Sequence, residues 1–215
     1  MMSFLQFVEG PLFYFAAAIF VVGALWRVIG IIRIGRKRDL APPKGSATGG
    51  FIAGNLRHFV PRKLFAKRTW VHIVAGYSFH FGLFALLLFA APHIDFFKDR
   101  LLGFGWPALP RWGFIIAAQF AFAGLIMLWV RRFSDPVMRL ISDWDDHIGS
   151  WLTFLVMLTG CLALQESHII LKAVHMLFVD VWLIYFPFSR LMHAMTFFLS
   201  RGYTGATYGR KGMTL

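Results

Sequence analysis

Five stretches of the chain stay apolar long enough to cross a lipid bilayer, and the polar stretches between them differ sharply in charge. The runs cover about residues 12–34, 69–92, 112–130, 147–164 and 169–199. At 1.5 Å rise per residue a helix of about 20 residues spans the ~30 Å hydrocarbon core. Backbone polar groups in that core must bond within their own segment, so each run is expected to be a helix. The pattern predicts an all-α, five-span transmembrane bundle. It is one domain, because the spans must pack against one another.

Composition agrees. Hydrophobic residues make up 58% of the 215 and charged residues only 15%, against about 25% charged in a soluble domain. A net charge of +12 would suggest nucleic acid in a soluble protein. Here its distribution points to topology instead. The segment from Arg33 to Arg68 carries ten Lys and Arg and one acid, Asp39. The segment from Arg131 to His147 carries three, and the tail carries Arg190, Arg201, Arg210 and Lys211. The opposite side holds only Lys98, Arg100 and Arg111 in its long loop, and Lys172. Cytoplasmic loops are the basic ones, so the N-terminus is expected outside and the C-terminus in the cytoplasm. Nucleic acid is not an expected partner, whereas membrane lipid is.

Within this frame the histidines draw attention, because ionisable groups inside a membrane are costly and usually functional. His175 and His193 bracket the most apolar stretch, HMLFVDVWLIYFPFSRLMH. On one continuous helix eighteen residues make five turns, so both rings would leave one face, ~27 Å apart along the axis. The second span carries His72 and His80, ~12 Å apart along the axis and about 80° around it. Imidazole is a common ligand of haem iron. Antiparallel second and fifth spans would pair His72 with His193 and His80 with His175, giving two closed b-haem sites. The rises differ, 12 Å against 27 Å by the same ~1.5 Å step, so the haem planes must tilt or the helices cross. A rival pairing sets His93 against His175, and a single haem held by the inner pair is the smaller alternative. Arg27 in the first span and Arg190, three residues before His193, are candidate partners for haem propionates; snorkelling and helix-end placement are their ordinary readings. Asp180 sits in the apolar part of span five, where it would pair with Arg27 or relay a proton. Gly76 and Gly82 flank His80 and would leave room for a flat macrocycle, although glycines serve plain helix packing more often.

Other features carry less. Pro11 suits the first turn of span one, and Pro187 is expected to kink span five. Asp143, Asp145, Asp146 and His147 cluster before span four, where capping a helix N-terminus is favoured over a metal site. His58 and His168 are read as surface residues and His93 as interfacial. The single cysteine, Cys161, rules out an iron–sulfur cluster held by cysteines of this chain alone.

The run FPFSRLMH, Phe186 to His193, with His175 eighteen residues ahead, resembles the last span of the gamma subunit of respiratory nitrate reductase. That family is a five-span dihaem cytochrome b, and similar modules occur in heterodisulfide-reductase-like membrane subunits. The match is confined to His175–His193; the ligand histidines of span two in that family are spaced wider than His72 and His80. The resemblance implies a cytochrome b subunit in a bacterial or archaeal cytoplasmic (inner) membrane. It implies electron exchange between the quinone pool and an iron–sulfur protein subunit on the cytoplasmic face. Such a chain is the quinol-oxidising or quinone-reducing member of an oxidoreductase complex in a respiratory chain, with Lys98, Arg100 and Arg111 as outer-side quinone candidates. The competing reading is a non-redox membrane anchor whose histidines are structural.

Overall fold

The computed structural model describes residues 2–34, 40–60, 63–165 and 168–213, and within them the secondary structure is helical, with no strand. Five helical segments are long and apolar enough to cross a membrane: Phe4–Ile34, Ala66–Phe89, Arg111–Ser134, Trp144–Leu164 and Ile169–Phe188. The basic run Arg36–Asp39, Arg62, and part of the turn before span five fall outside the described residues. The chain resolves into two compact units, one of Met1–Leu64 with Leu162–Leu215, the other of Phe65–Cys161.

In the first unit, α1 (Phe4–Phe7) starts at a capping box in which Ser3 and Gln6 satisfy each other's backbone amides. It runs through a π-helical turn, Val8–Leu12, into α2 (Phe13–Ile34). Span one therefore begins a full two turns earlier than the hydrophobic run suggests. Pro11 is not in the first turn; it lies inside the wide π turn. Such a turn tolerates the amide that proline lacks, because its hydrogen bonds are already displaced. The last span, α9 (Ile169–Tyr185), lies against α2 in the same direction. At their starts Lys172 bonds Glu9 at 2.7 Å; where the last span closes, Pro187 packs on Gly23, midway along α2, and Phe186 meets Phe20 edge-on at 5.2 Å. Ala16 and Gly23 on α2, and Ala173, Asp180 and Pro187 on the other side, are buried. Each set repeats every seven residues, which keeps one seam facing the neighbour.

Span five departs from the expectation of one kinked helix over 169–199. The α-helix stops at Tyr185, a 3₁₀ turn covers Phe186–Phe188, Ser189 is extended (φ −111°, ψ 175°), and a second 3₁₀ turn covers Arg190–Met192. Proline begins the break by removing an amide and crowding the carbonyl four residues back. Ser189 completes it: its hydroxyl donates to the Phe186 carbonyl at 3.0 Å and accepts from the Leu191 amide at 3.2 Å. A new helix then starts at His193.

That helix, α10 (His193–Arg210), and α3 (Ala47–Arg57) replace what the sequence suggests is a glycine-rich tail and a loop. They lie antiparallel with glycines on both contact faces. Gly50 and Gly54 meet Gly205, and Gly209 meets Ser46 and Gly50, backbone to backbone. Small residues four apart allow this approach. The pair is tied at its end by Lys44 and Gly45 amides donating to the Arg210 carbonyl at 2.8 and 3.1 Å.

The second unit holds α4 (Lys63–Phe89) from Phe65 on, α5 (Ala91–Phe97), α6 (Arg111–Ser134), α7 (Pro136–Ile141) and α8 (Trp144–Gln165) as far as Cys161. Its core is Leu86, Ala90, Phe114, Ala117, Ala121, Leu125 and Met157. α4 and α6 touch at Gly82 against Ala117 and Ala121, and at Gly124 against Ala75 and Phe79. Asp135 caps α7 through the Val137 and Met138 amides. Asp143 and Asp146 bond each other's backbone amides at 3.2 Å to open α8, and Asp146 also binds Arg132 at 3.1 Å. The acidic cluster is thus occupied with capping. The segment after α4 forms the short helix α5, with Trp106 donating to the Leu88 carbonyl at 2.7 Å and stacking on Phe97.

Candidate functional site

In the second unit α4 is unbroken from Lys63 to Phe89, so His72 and His80 keep the helical offset that their spacing dictates. His72 is exposed and His80 half-buried. The Nδ1 of His80 lies 2.7 Å from the Gly76 carbonyl. A carbonyl only accepts, so Nδ1 carries the hydrogen, and in the neutral ring the lone pair is on Nε2. This is the ring setting that metal-ligating histidines take, with the second nitrogen donating to a backbone carbonyl. Phe79 meets the ring edge-on at 4.8 Å.

The two glycines beside His80 serve different ends. A side chain at Gly82 would strike the α6 backbone, 2.5 Å from the Ala117 oxygen and 2.8 Å from the Ala121 Cα. Gly82 is therefore committed to helix packing and leaves no room for a macrocycle. A Cβ at Gly76 would meet nothing within 4 Å. The carbonyl that orients His80 thus belongs to a residue with a bare, open flank.

In the first unit His175 is half-buried on α9, while His193 is exposed as the first residue of α10. The five-turn register between them is not realised, because the helix breaks at residues 186–192. The same break gives His193 a setting like that of His80: its Nδ1 donates to the Arg190 carbonyl at 2.8 Å. Arg190 thus orients His193 through its backbone, and its side chain is exposed. Nothing in the sequence pointed to this, since the bond exists only because 190–192 form a separate 3₁₀ turn.

Arg27 lies on an exposed face of α2, and Asp180 is fully buried with neither carboxylate oxygen hydrogen-bonded. The ion pair between them is not formed. Asp180 instead occupies the α2–α9 seam as an unpartnered acid, a kind of group that membrane proteins keep for function. His58 and His93 also turn Nδ1 toward carbonyls, of Gly54 at 2.5 Å and Leu87 at 2.9 Å. Their rings close off helix ends, where carbonyls lack intrahelical donors; His80 alone of the four lies deep within a span. Lys98, Arg100 and Arg111 are exposed around α5 and the start of α6. Among the described residues no three His, Cys, Asp or Glu side chains gather as a metal site. Haem iron needs only one or two axial side chains, so that observation does not bear on it.

A protein of Nitratidesulfovibrio vulgaris strain Hildenborough, named simply "Protein", is 30% identical to the chain over 216 residues, covering 95% of this chain and 93% of its own length. No family model matches the chain. No solved structure matches it.

Proposed function

We propose, for a chain that belongs to the same family as this Nitratidesulfovibrio vulgaris protein, the function of a membrane cytochrome b subunit that passes electrons between the quinone pool and an iron–sulfur protein on the cytoplasmic face. The observation that carries this reading is the setting of His80. It lies mid-span, its Nδ1 is bound by a backbone carbonyl, and the adjacent Gly76 flank is open. A half-buried mid-span imidazole with a defined tautomer and space beside it fits an axial haem ligand. His193, with the same ring setting, is the matching candidate in the first unit. His72 and His175 complete the candidate set, with Arg27 and Arg190 as the cations for propionates. Bound b haem supplies reversible one-electron chemistry. The protein's part is to hold the ring nitrogens, exclude water and place the charges.

Quinol oxidation also releases protons. The buried, unpartnered Asp180 is the intramembrane carboxyl suited to accept one. The polybasic inner segments, ten cations to one acid between Arg33 and Arg68, suit an acidic face on the soluble partner.

The test is a pyridine haemochrome assay on the purified chain. His80→Ala is expected to lower haem per chain while five-span insertion is retained. His58→Ala is expected to leave haem unchanged. A colourless wild-type protein expressed with ample haem would refute the proposal and leave the anchor reading in its place. Full haem in the His80 and His193 variants would refute the ligand assignment.

A further inference from the structure

The α3–α10 pair is unlike the rest of the chain. Residues 40–60 and 193–213 contain no Asp or Glu, and they carry Lys44, Arg57, Arg201, Arg210 and Lys211. Their contact face is taken up by glycines packed backbone to backbone, so large apolar side chains are left outside. Ile52 and Leu56 are 54% and 66% exposed. They sit one turn apart on the α3 face turned away from the glycines, as 3.6-residue periodicity requires. Phe59, Phe197 and Tyr203 are also exposed.

Arg201 is the most constrained of the cations. Its guanidinium lies over the rings of Phe59 at 5.1 Å and Phe197 at 5.3 Å. One of its terminal nitrogens is buried without a hydrogen-bond acceptor. An arginine fixed by stacking and short of an acceptor is prepared for a planar, two-pronged anion contact, and within the pair there is no carboxylate to supply it.

The pair is also leashed. The last candidate span ends at Phe188 and α10 starts at His193. Five chain steps reach at most about 18 Å even when fully extended. α2 and the last span run in the same direction; the last span closes at Phe188, level with the middle of α2, which continues to Ile34 on that side. The first turn of α10 therefore stays at the membrane surface. Exposed apolar side chains among cations, held at that surface, are the signature of a helix lying in the headgroup layer.

We propose that the α3–α10 pair is a phospholipid-binding platform. It lies on the leaflet toward which α2 and the last span run, with Ile52, Leu56 and Phe197 entering the headgroup layer. Arg201, supported by Arg57 and Lys211, binds the phosphate of an anionic lipid. The inference requires only that the chain spans a membrane and is independent of the haem reading.

The experiment uses the full chain in nanodiscs of phosphatidylcholine, with and without phosphatidylglycerol. Lipids retained on the protein are counted by native mass spectrometry. Wild type is expected to retain phosphatidylglycerol selectively, and excess inorganic phosphate is expected not to displace it. Removing a cation as Arg201→Gln, Arg57→Gln or Lys211→Gln should lower the selectivity by about fivefold each, the value for one basic residue at an anionic surface. Arg201→Lys, which keeps the charge but loses the planar fork, should fall between the wild type and Arg201→Gln. A spin label at Tyr203→Cys, in a Cys161→Ser background, should be relaxed by lipid-soluble oxygen rather than by a water-soluble reagent.

Equal retention of both lipids would overturn the proposal, as would a water-exposed label. Displacement by inorganic phosphate would show a free-anion site instead. Protection only on adding an acidic soluble protein would show a protein-docking face, which also overturns it. Should Arg201→Gln misfold, the Arg57 and Lys211 variants read the same selectivity. Haem per chain in the same samples reads the earlier proposal separately.

Discussion

Replacing Gly205 by alanine tests the glycine-to-glycine contact on which the α3–α10 pair rests. The new methyl carbon would collide with the Gly50 carbonyl oxygen and lie 2.9 Å from the Gly54 Cα and 3.0 Å from the Gly50 carbonyl carbon. All three are backbone atoms of one helix, so no rotamer change relieves the overlap. α3 must move until carbon–carbon separations reach the ordinary ~3.5–4.0 Å, a local displacement of about 1 Å. Overpacking of this kind costs about 1–3 kcal/mol. Alanine regains about 1 kcal/mol of helix propensity over glycine, leaving a net loss of about 0–2 kcal/mol for the pair. Gly30, where an added methyl would meet nothing within 4 Å, is the control: Gly30→Ala keeps the propensity gain without the clash. The assay is the rate of tryptic cleavage at Arg210 and Lys211 in the detergent-solubilised protein, which reports opening of the pair. Gly205→Ala should speed cleavage by up to about thirtyfold, since 1.4 kcal/mol is a factor of ten, and Gly30→Ala should leave it unchanged. Gly50→Ala should behave alike, and the double variant should fall short of the sum, because both methyls demand the same shift. Slower cleavage of Gly205→Ala than of the wild type, which the propensity gain without a clash would give, would refute the close packing.

Three further outcomes follow from local geometry. Gly82→Leu should impair folding of the second unit, because its side chain meets the α6 backbone; Gly76→Leu should spare folding and selectively lower haem content, measured as absorbance per chain. Ser189→Ala removes a hydroxyl that both donates and accepts at the break after span five, and should cost about 1 kcal/mol, the usual worth of such a cap, read as a lower melting temperature. Asp135 has its carboxyl held below the ordinary carboxylate range, first by the Val137 amide, then by the Met138 amide and the Arg131 and Arg68 charges, against a smaller opposing effect of desolvation. A depressed folded pKa means that this stabilisation is present above the unfolded value and is lost as pH falls through the folded one. A carbon-detected NMR titration of the Asp135 carboxyl should therefore find its midpoint below the usual range, and a midpoint at or above that range would contradict the cap.

How much was legible in the sequence varied by element. His72 and His80 could be placed from spacing alone because α4 runs unbroken beneath them. His175 and His193 could not, although Pro187 was visible. A proline shows where a helix is weakened, but whether it bends or stops depends on what receives the distortion. Here Gly23 of α2 accommodates the ring and Ser189 closes the freed groups. The ring settings of His80 and His193 were equally hidden, since each depends on the rotamer that brings Nδ1 to a carbonyl.

The sequence by itself determined that five helices are long and apolar enough to cross a membrane. Crossing is a local demand: a run of sufficient length must close its hydrogen bonds within itself, whatever its neighbours do. Only the tertiary structure decided which glycines pack and which stand open, where the last span ends, and that a basic loop and a glycine-rich tail become paired helices. A glycine reads the same in the sequence whether it faces empty space, as Gly76 does, or another helix's backbone, as Gly82 and Gly205 do. The difference is made by the atoms across the gap, and those come from residues distant in the chain.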